Sequence, residues 1–446
     1  MNLSPQEAVD LVLETARMGG AQSADVLYEE SESLSLDVFE GAMKNLERSD
    51  SVGLGLRVLV EGRPGYSFTE RLTAQSIKQC AEDALALAAF TDSLGIELPK
   101  PVPMQELDLG VYDESALSYG PAKMLEQCLE AEELARTLDS RIVNIPHLGA
   151  SRSYGRALLG NSEGFRGERR SASVSMGMGV VARDASADKM GWDGATWRQP
   201  SGILPPSIAR TAVERAISLL GARPIPAGSL PVLFDERVSG QFLGIFLGAF
   251  LADSVQKGQS RLVGKIGEKI APEGFHLSTS PHLRGMSGSR LFDSEGIPTA
   301  KRELVKNGIL QGFLHNLETS RREGIAPTGD AHRGYTGRVS AGFSNVEIDR
   351  TLGKSNEELL SGFPRILHVV KLEGSTGCNA VSGDVSIGVQ GFLHEGGSRI
   401  PVDRVSLSGN FFDLLADVVG WGDAVRPGVH GQFVPALLVR SLQLAS

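Results

Sequence analysis

The sequence predicts an α+β protein in which a duplicated pair of α-β-β-β-β-α units precedes a β-rich C-terminal domain. Three observations carry this reading. The order helix, strands, helix occurs twice in the first half. A proline-bearing boundary, Arg223-Pro224-Ile225-Pro226-Ala227-Gly228, then ends that half. Beyond it, short half-alternating runs divided by glycine turns read as strands that must close or stack to protect their edges.

The first unit, residues 1–105, opens on Ser4-Pro5-Gln6-Glu7, a capping box with proline at the first helical position. Ala8, Val9, Val12, Leu13 and Ala16 then fall on one helical face through residue 18. Strands are expected near Ala24–Glu30, Ser33–Glu40, Val52–Val60 and Gly65–Thr69, and a helix from Thr73 to Phe90. A proline-bearing linker, Leu98–Pro103, closes the unit. The second unit, residues 106–224, repeats the order. Helix Pro121–Leu138 leads to strands near Arg141–Ile145, Ser151–Leu159, Ala172–Arg183 and Lys189–Trp197, then to helix Pro205–Leu220. The third domain, residues 225–446, starts with strand Leu230–Phe234 running into an apolar helix. Further helices are expected at Glu357–Ser361 and near Phe411–Val419, with strands at Arg365–Leu372, Val385–Glu395 and Val402–Ser408.

The 446 residues, 41% hydrophobic and 22% charged, have the balance of a soluble globular chain. A net charge of −10, with the basic patches at 166–170 and 301–306 interrupted by glutamates, argues against a nucleic-acid partner. Cys80, Cys128 and Cys378 lie far apart, which suits a reducing cytoplasm and neither a disulfide framework nor a zinc knuckle. No basic segment precedes an apolar run at the N-terminus, so no signal peptide is expected. The longest apolar run, 242–252, falls well short of the roughly 20 residues that cross a bilayer.

Motifs for chemistry are scarce. Gly53-Leu54-Gly55 and Gly177-Met178-Gly179 lack a third glycine and open no helix, so they read as close backbone approaches. Residues 258–266 resemble a P-loop but put Ile266 where a hydroxyl must meet magnesium. The eight histidines form no H-E-x-x-H, and no G-x-S-x-G appears. Cys378 would serve as a nucleophile only with a histidine close to it in space. At the start of the apolar helix, Asp235 and Glu236 could each ligate a metal, but no histidine follows within a turn or two. Acids there suit a helix N-terminus in any case.

Five ordered motifs in the last domain resemble the TldD/PmbA family. They are Leu291-Phe292-Asp293-Ser294-Glu295-Gly296-Ile297-Pro298-Thr299, then Leu304-Val305-Lys306-Asn307-Gly308-Ile309-Leu310-Gln311-Gly312-Phe313-Leu314, Ala326-Pro327-Thr328-Gly329-Asp330-Ala331, Val381-Ser382-Gly383-Asp384-Val385-Ser386-Ile387-Gly388 and Leu407-Ser408-Gly409-Asn410-Phe411-Phe412. The resemblance implies a cytoplasmic assembly of two related subunits that cleaves unfolded peptides, including the leader of a modified peptide antibiotic. In its catalytic TldD-type subunit a helix carries H-E-x-x-x-H, and a C-terminal cysteine completes the zinc site. The matching stretch here is Asp235-Glu236-Arg237-Val238-Ser239-Gly240-Gln241, and His430 falls near the cysteine.

The resemblance therefore implies a PmbA (TldE)-type subunit that binds no cofactor of its own, zinc being expected in a TldD-type partner. An isolated chain could pair with itself instead. Asp293, Glu295, Gly296, Asn307, Gly308, Gly409 and Asn410 are the family's motif positions. Gly374, Gly377, Gly383, Asp384, Gly388, Thr328 and Gly329 are candidate walls of a peptide channel, since glycine admits a second backbone closely. The competing expectations are an autonomous hydrolase, using Cys378 or a site assembled across a homodimer, and a binding protein such as a DNA gyrase modulator.

Overall fold

The computed structural model describes residues 3–185 and 187–445. In the first half, helices α1 (Pro5–Met18) and α2 (Ala74–Ala88) flank strands β1 (Ser23–Phe39), β2 (Ala42–Val60) and β3 (Arg63–Thr69). Helices α3 (Pro121–Leu138) and α4 (Pro205–Ser218) flank β4 (Ile142–Asn161), β5 (Arg166–Arg183) and β6 (Asp188–Trp197) in the same way. The six strands form one antiparallel sheet in the order β3-β2-β1-β4-β5-β6. α1 begins as its sequence dictates: Glu7 accepts the Ser4 N–H at 2.8 Å, and Ser4 accepts the Glu7 N–H at 3.3 Å.

The strand count needs correcting. Each unit supplies three strands rather than four, because Ala24–Glu30 and Ser33–Glu40 are one strand, as are Arg141–Ile145 and Ser151–Leu159. The polar stretch Ser31-Glu32-Ser33 reads as a break, yet it pairs residue by residue with β2 on one side and β4 on the other. In β4 the register shifts between Asn144 and His147, so the ladder does not need the N–H that Pro146 lacks.

The unbroken β1 is what joins the units. Ala24, Val26 and Tyr28 pack under α1 and α2, whereas Leu34, Leu36 and Val38 pack under α3 and α4. All six fall on one face, since side chains alternate along a strand. The other face carries Asp25, Leu27 and Glu29 and receives the C-terminal half. Leu27 clusters there with Phe165 and Phe292, and Glu29 accepts the Tyr335 N–H at 2.9 Å. A Cβ on Gly55 would collide with the Tyr335 backbone, so this glycine pair does mark a close approach.

In the C-terminal half, β7 (Gly228–Phe234) runs parallel to strand Arg365–Glu373 and antiparallel to strand Pro435–Ala445. Strands Asp384–Glu395 and Ser398–Asn410 extend the sheet beyond Arg365–Glu373, and Ser398–Asn410 also pairs with Pro435–Ala445. The sheet thus closes on itself, protecting its edges as the glycine-rich sequence requires. Register shifts at Val369/Lys371, Val389/Gly391 and Val439/Leu442 supply the bends. Helix α5 (Glu236–Phe246) leaves β7 and packs on this sheet. Phe242 stacks on Phe234 and Phe246 on Phe411, each pair with centroids 4.4 Å apart. A smaller five-stranded sheet contributes Leu277, Leu304, Val305, Leu310, Val346 and Ile348 to the same core. No described helix is long and apolar enough to cross a membrane.

The two halves meet around Arg57, which projects from β2 and is 2% exposed. It donates to Asp25 at 3.1 Å and to Glu295 at 2.8 Å. Burial opposes its charge, but Asp25 and Glu295 outweigh burial and hold the guanidinium firmly protonated. Arg333 pairs with Asp25 from the C-terminal side at 2.9 Å. A second buried pair, Lys189 with Asp403, ties β6 to strand Ser398–Asn410. Arg57→Met would leave Glu295 buried without its cation and is expected to cost about 3–5 kcal/mol, read as a lowered urea midpoint.

Candidate functional site

β7 ends at Phe234, and Asp235 caps α5 by accepting the Arg237 N–H at 3.1 Å. The same carboxylate accepts from Arg237 Nε at 2.6 Å, from Arg237 Nη2 at 3.0 Å and from His368 Nε2 at 3.1 Å. His368 arrives on strand Arg365–Glu373, whose pairing with β7 sets it opposite Leu233. Burial alone would raise the Asp235 pKa. The His368 and Arg237 hydrogen bonds and charges prevail and hold it well below the usual carboxylate range. Asp235 is thus an ionised helix cap with its lone pairs committed.

The neighbouring candidates are committed too. Glu236 accepts from Asn356 at 3.0 Å. His430 Nε2 donates to the Arg426 carbonyl at 2.7 Å, while its Nδ1 accepts the Gln432 N–H at 3.3 Å. Both ring nitrogens are therefore used by backbone. Counting H-E-x-x-x-H along the chain puts the first imidazole position at Asp235 and the second at Gly240. The Gln432 side chain lies across Gly240, with Oε1 only 2.7 Å from where a Cβ would sit. Among the described residues, no three His, Cys, Asp or Glu side chains converge as a metal-holding group.

The N-terminal turn of α5 opens onto a cleft of about 550 Å³ between β6 and α4 on one side and the closed sheet on the other. Arg237, Gln241 and His368 line its floor, and Trp192, Trp197 and Phe392 its walls. Arg399 lies over the Phe392 ring, 3.4 Å from its centroid. Arg215, bonded to Asp193 at 2.7 Å, approaches from the second unit's side, and Arg426 from the C-terminal half, where it donates to the Gly194 carbonyl at 3.4 Å. The cleft is cationic in a chain that is acidic overall. β6 is the outermost strand of its sheet and turns Trp192 and Gly194 toward this space.

The other sequence candidates divide into three places. Asp293, Glu295 and Gly296 form a buried turn at the junction of the halves. There Asp293 accepts the N–H groups of Glu295, Ile297 and Ala331 at 2.9–3.0 Å. Burial, with the charge of Glu295 added, pushes the Asp293 carboxyl up to about 7. Thr328 and Gly329 lie beside this turn: Thr328 exchanges hydrogen bonds with the His315 backbone, and Gly329 packs on the Pro298 carbonyl. Asn307 and Gly308, with φ of 48° and 77°, are the hairpin turn between Arg302–Lys306 and Ile309–Leu310.

Asp384 pairs with Asn410, and Asn410 caps the helix Phe411–Ala416 while donating to the Ser382 carbonyl at 2.9 Å. Gly409 packs against Leu442, and Gly388 against Glu373. Gly374 and Gly377 are exposed in the loop joining strands Arg365–Glu373 and Asp384–Glu395, whereas Gly383, at its end, is buried against Phe412. In that loop the Cys378 thiol meets the Ser386 carbonyl at 3.7 Å. Sequence reasoning missed Arg57, Asp25 and His368. The signal for Arg57 was its place in Gly53-Leu54-Gly55-Leu56-Arg57, where the face opposite the leucines carries only glycine and one charge.

Asp235→Asn keeps the cap but removes the charge. It is expected to lower stability by about 1.5–3 kcal/mol at neutral pH. The wild-type carboxylate contributes above the pKa of an unfolded aspartate, about 3.9, and loses that contribution as pH falls further. Urea unfolding of both proteins at about pH 7 and about pH 3.5 should therefore show the gap narrowing in acid.

Family models described as PmbA/TldA metallopeptidase match the chain in three pieces: domain 1 over residues 24–88, the central domain over 114–220 and the C-terminal domain over 227–446. The chain is 27% identical over 426 residues to metalloprotease PmbA of Escherichia coli O157:H7, covering 94% of this chain and 92% of that one. A crystal structure from Thermotoga maritima, described as a candidate modulator of a DNA gyrase, matches with a TM-score of 0.89 at 27% identity, covering 99% of this chain and 100% of that one. TldE from Thermococcus kodakarensis has the same fold, with a TM-score of 0.86 at 21% identity, covering 98% of this chain and 100% of that one. The chain belongs to the PmbA/TldD family of metallopeptidases.

Proposed function

We propose that this chain is the PmbA (TldE)-type, non-catalytic subunit of a cytoplasmic metallopeptidase, and that a TldD-type partner holds the zinc. The observation that carries the reading is the clamp at the start of α5. Where the family's metal helix needs two imidazoles, Asp235 is fastened to Arg237 and His368, and Gly240 lies under Gln432. Metal binding requires deprotonated ligands free to turn inward, and these groups are already engaged.

The chain's role in the assembly is to wall the peptide chamber. The cleft beside β6 supports this, since Trp192, Trp197 and Phe392 offer apolar surface to an unfolded chain among several cationic side chains. The cleft beside β6 is bordered by Val370, Lys371 and Leu372, which run directly into the Gly374–Gly383 loop. On this reading that loop, with Asp384 and Gly388 at its far end, extends the chamber wall beyond the cleft. Unfolded peptide, leader segments included, is the substrate class.

Purified alone, the chain is expected to retain no zinc and to leave unfolded peptide intact. Mixing with a TldD-type partner should yield cleavage, with zinc recovered in the partner. Chelator-resistant, thiol-reagent-sensitive cleavage by the lone chain would instead favour the Cys378 hydrolase. Gln241→Trp places an indole in the cleft from an exposed helical position. It should reduce kcat/KM of the mixed assembly without lowering the unfolding temperature, and unchanged kcat/KM would count against the cleft as the peptide path.

A further inference from the structure

A second cavity, of about 850 Å³, separates the open face of the N-terminal sheet from the C-terminal half. Arg290 reaches it from the C-terminal side and is 7% exposed. Among the described residues, its Nε and Nη2 have no hydrogen-bond partner. Asp293 and Asp330 both lend it charge but neither bonds to it: Asp293 spends both oxygens on backbone N–H groups, and Asp330 faces Arg302 at 3.5 Å. A buried guanidinium left in this state is costly, far more so than a paired one.

Arg169 lines the same cavity from β5, its guanidinium 5.5 Å from the Phe292 ring centroid. Burial, reinforced by the charge of Arg290, pushes Arg169 down to about 10. Burial and these two arginines also lower His332, on the same wall, so it adds a neutral ring and not a third charge. Of the carboxylates on the sheet side, Glu29 lends its charge to Arg169, while Glu30 and Glu168 have other partners. Glu30 and Glu168 face Arg156 at 3.8 and 3.0 Å, Glu168 also binds Arg170, and Glu29 takes the Tyr335 N–H.

We propose that this cavity is an oxyanion site in which Arg290 and Arg169 clamp one carboxylate or phosphate group. A planar guanidinium with two free donors suits the paired oxygens of either. The occupant is either the C-terminal carboxylate of a peptide lying between the halves or free phosphate. The site stands on Arg290 and Arg169 whether or not the chain acts as a subunit of a peptidase.

Calorimetric titration of the full chain with acetyl-glycylglycine, with its C-terminal amide and with inorganic phosphate tests the site. The expected result is one saturable site for the peptide acid, for phosphate or for both, with no binding of the amide. Affinity should fall by about ten-fold or more in Arg290→Met and in Arg169→Met. Binding of the peptide acid alone identifies a peptide terminus as the source, and binding of phosphate alone identifies free phosphate. No saturable binding of either probe, or binding undiminished in both variants, overturns the site. Thermal unfolding in anion-free buffer is the second measurement. Arg290→Met should unfold no lower than wild type, since it removes a buried charge that has no hydrogen-bonded counterion, and a clear drop would show that Asp293 and Asp330 already serve as its counterions.

Discussion

Arg57 is the constraint on which the relation between the two halves depends. A buried cation on a strand packed on both faces must meet its counterions wherever the chain brings them. Here one is Asp25 on the adjacent strand and the other is Glu295 in the opposite half. Such a network adds little net stability over a well-packed apolar contact, but it is unforgiving of displacement. Lys189 and Asp403 pin the halves at a second point, and both cavities lie along the junction between them.

Within this frame, the start of α5 uses groups with coordinating potential for structural ends. A helix N-terminus favours negative charge, and Asp235 answers that demand while neutralising Arg237 and accepting from His368. His430 is consumed by two backbone groups, and Gln432 occupies the space beside Gly240. A fold does not dictate a chemistry, and here the polar groups at the start of α5 are taken up by hydrogen bonds.

Much of the fold was legible because local patterns coincide with tertiary ones. Helix Pro121–Leu138 has the ends its periodicity indicates, and α1 starts at its capping box. What the sequence concealed was pairing. Ser31-Glu32-Ser33 looks like a turn in isolation and is a strand only because β2 and β4 flank it. The absence of a nearby histidine after Asp235 was visible in the sequence. The imidazole that does meet Asp235, His368, lies 133 positions away and arrives through a parallel pairing that no local signal reveals. The glycines chosen as channel walls are partly loop positions and partly close-packing positions, a distinction that depends on what faces each missing Cβ.

Zinc titration into the isolated chain at neutral pH, followed by competition with a metal indicator, tests the central claim most directly. Only weak, non-saturating uptake, insensitive to Asp235→Ala and Glu236→Ala, is expected. Tight uptake of one zinc per chain, abolished by either substitution, would contradict it.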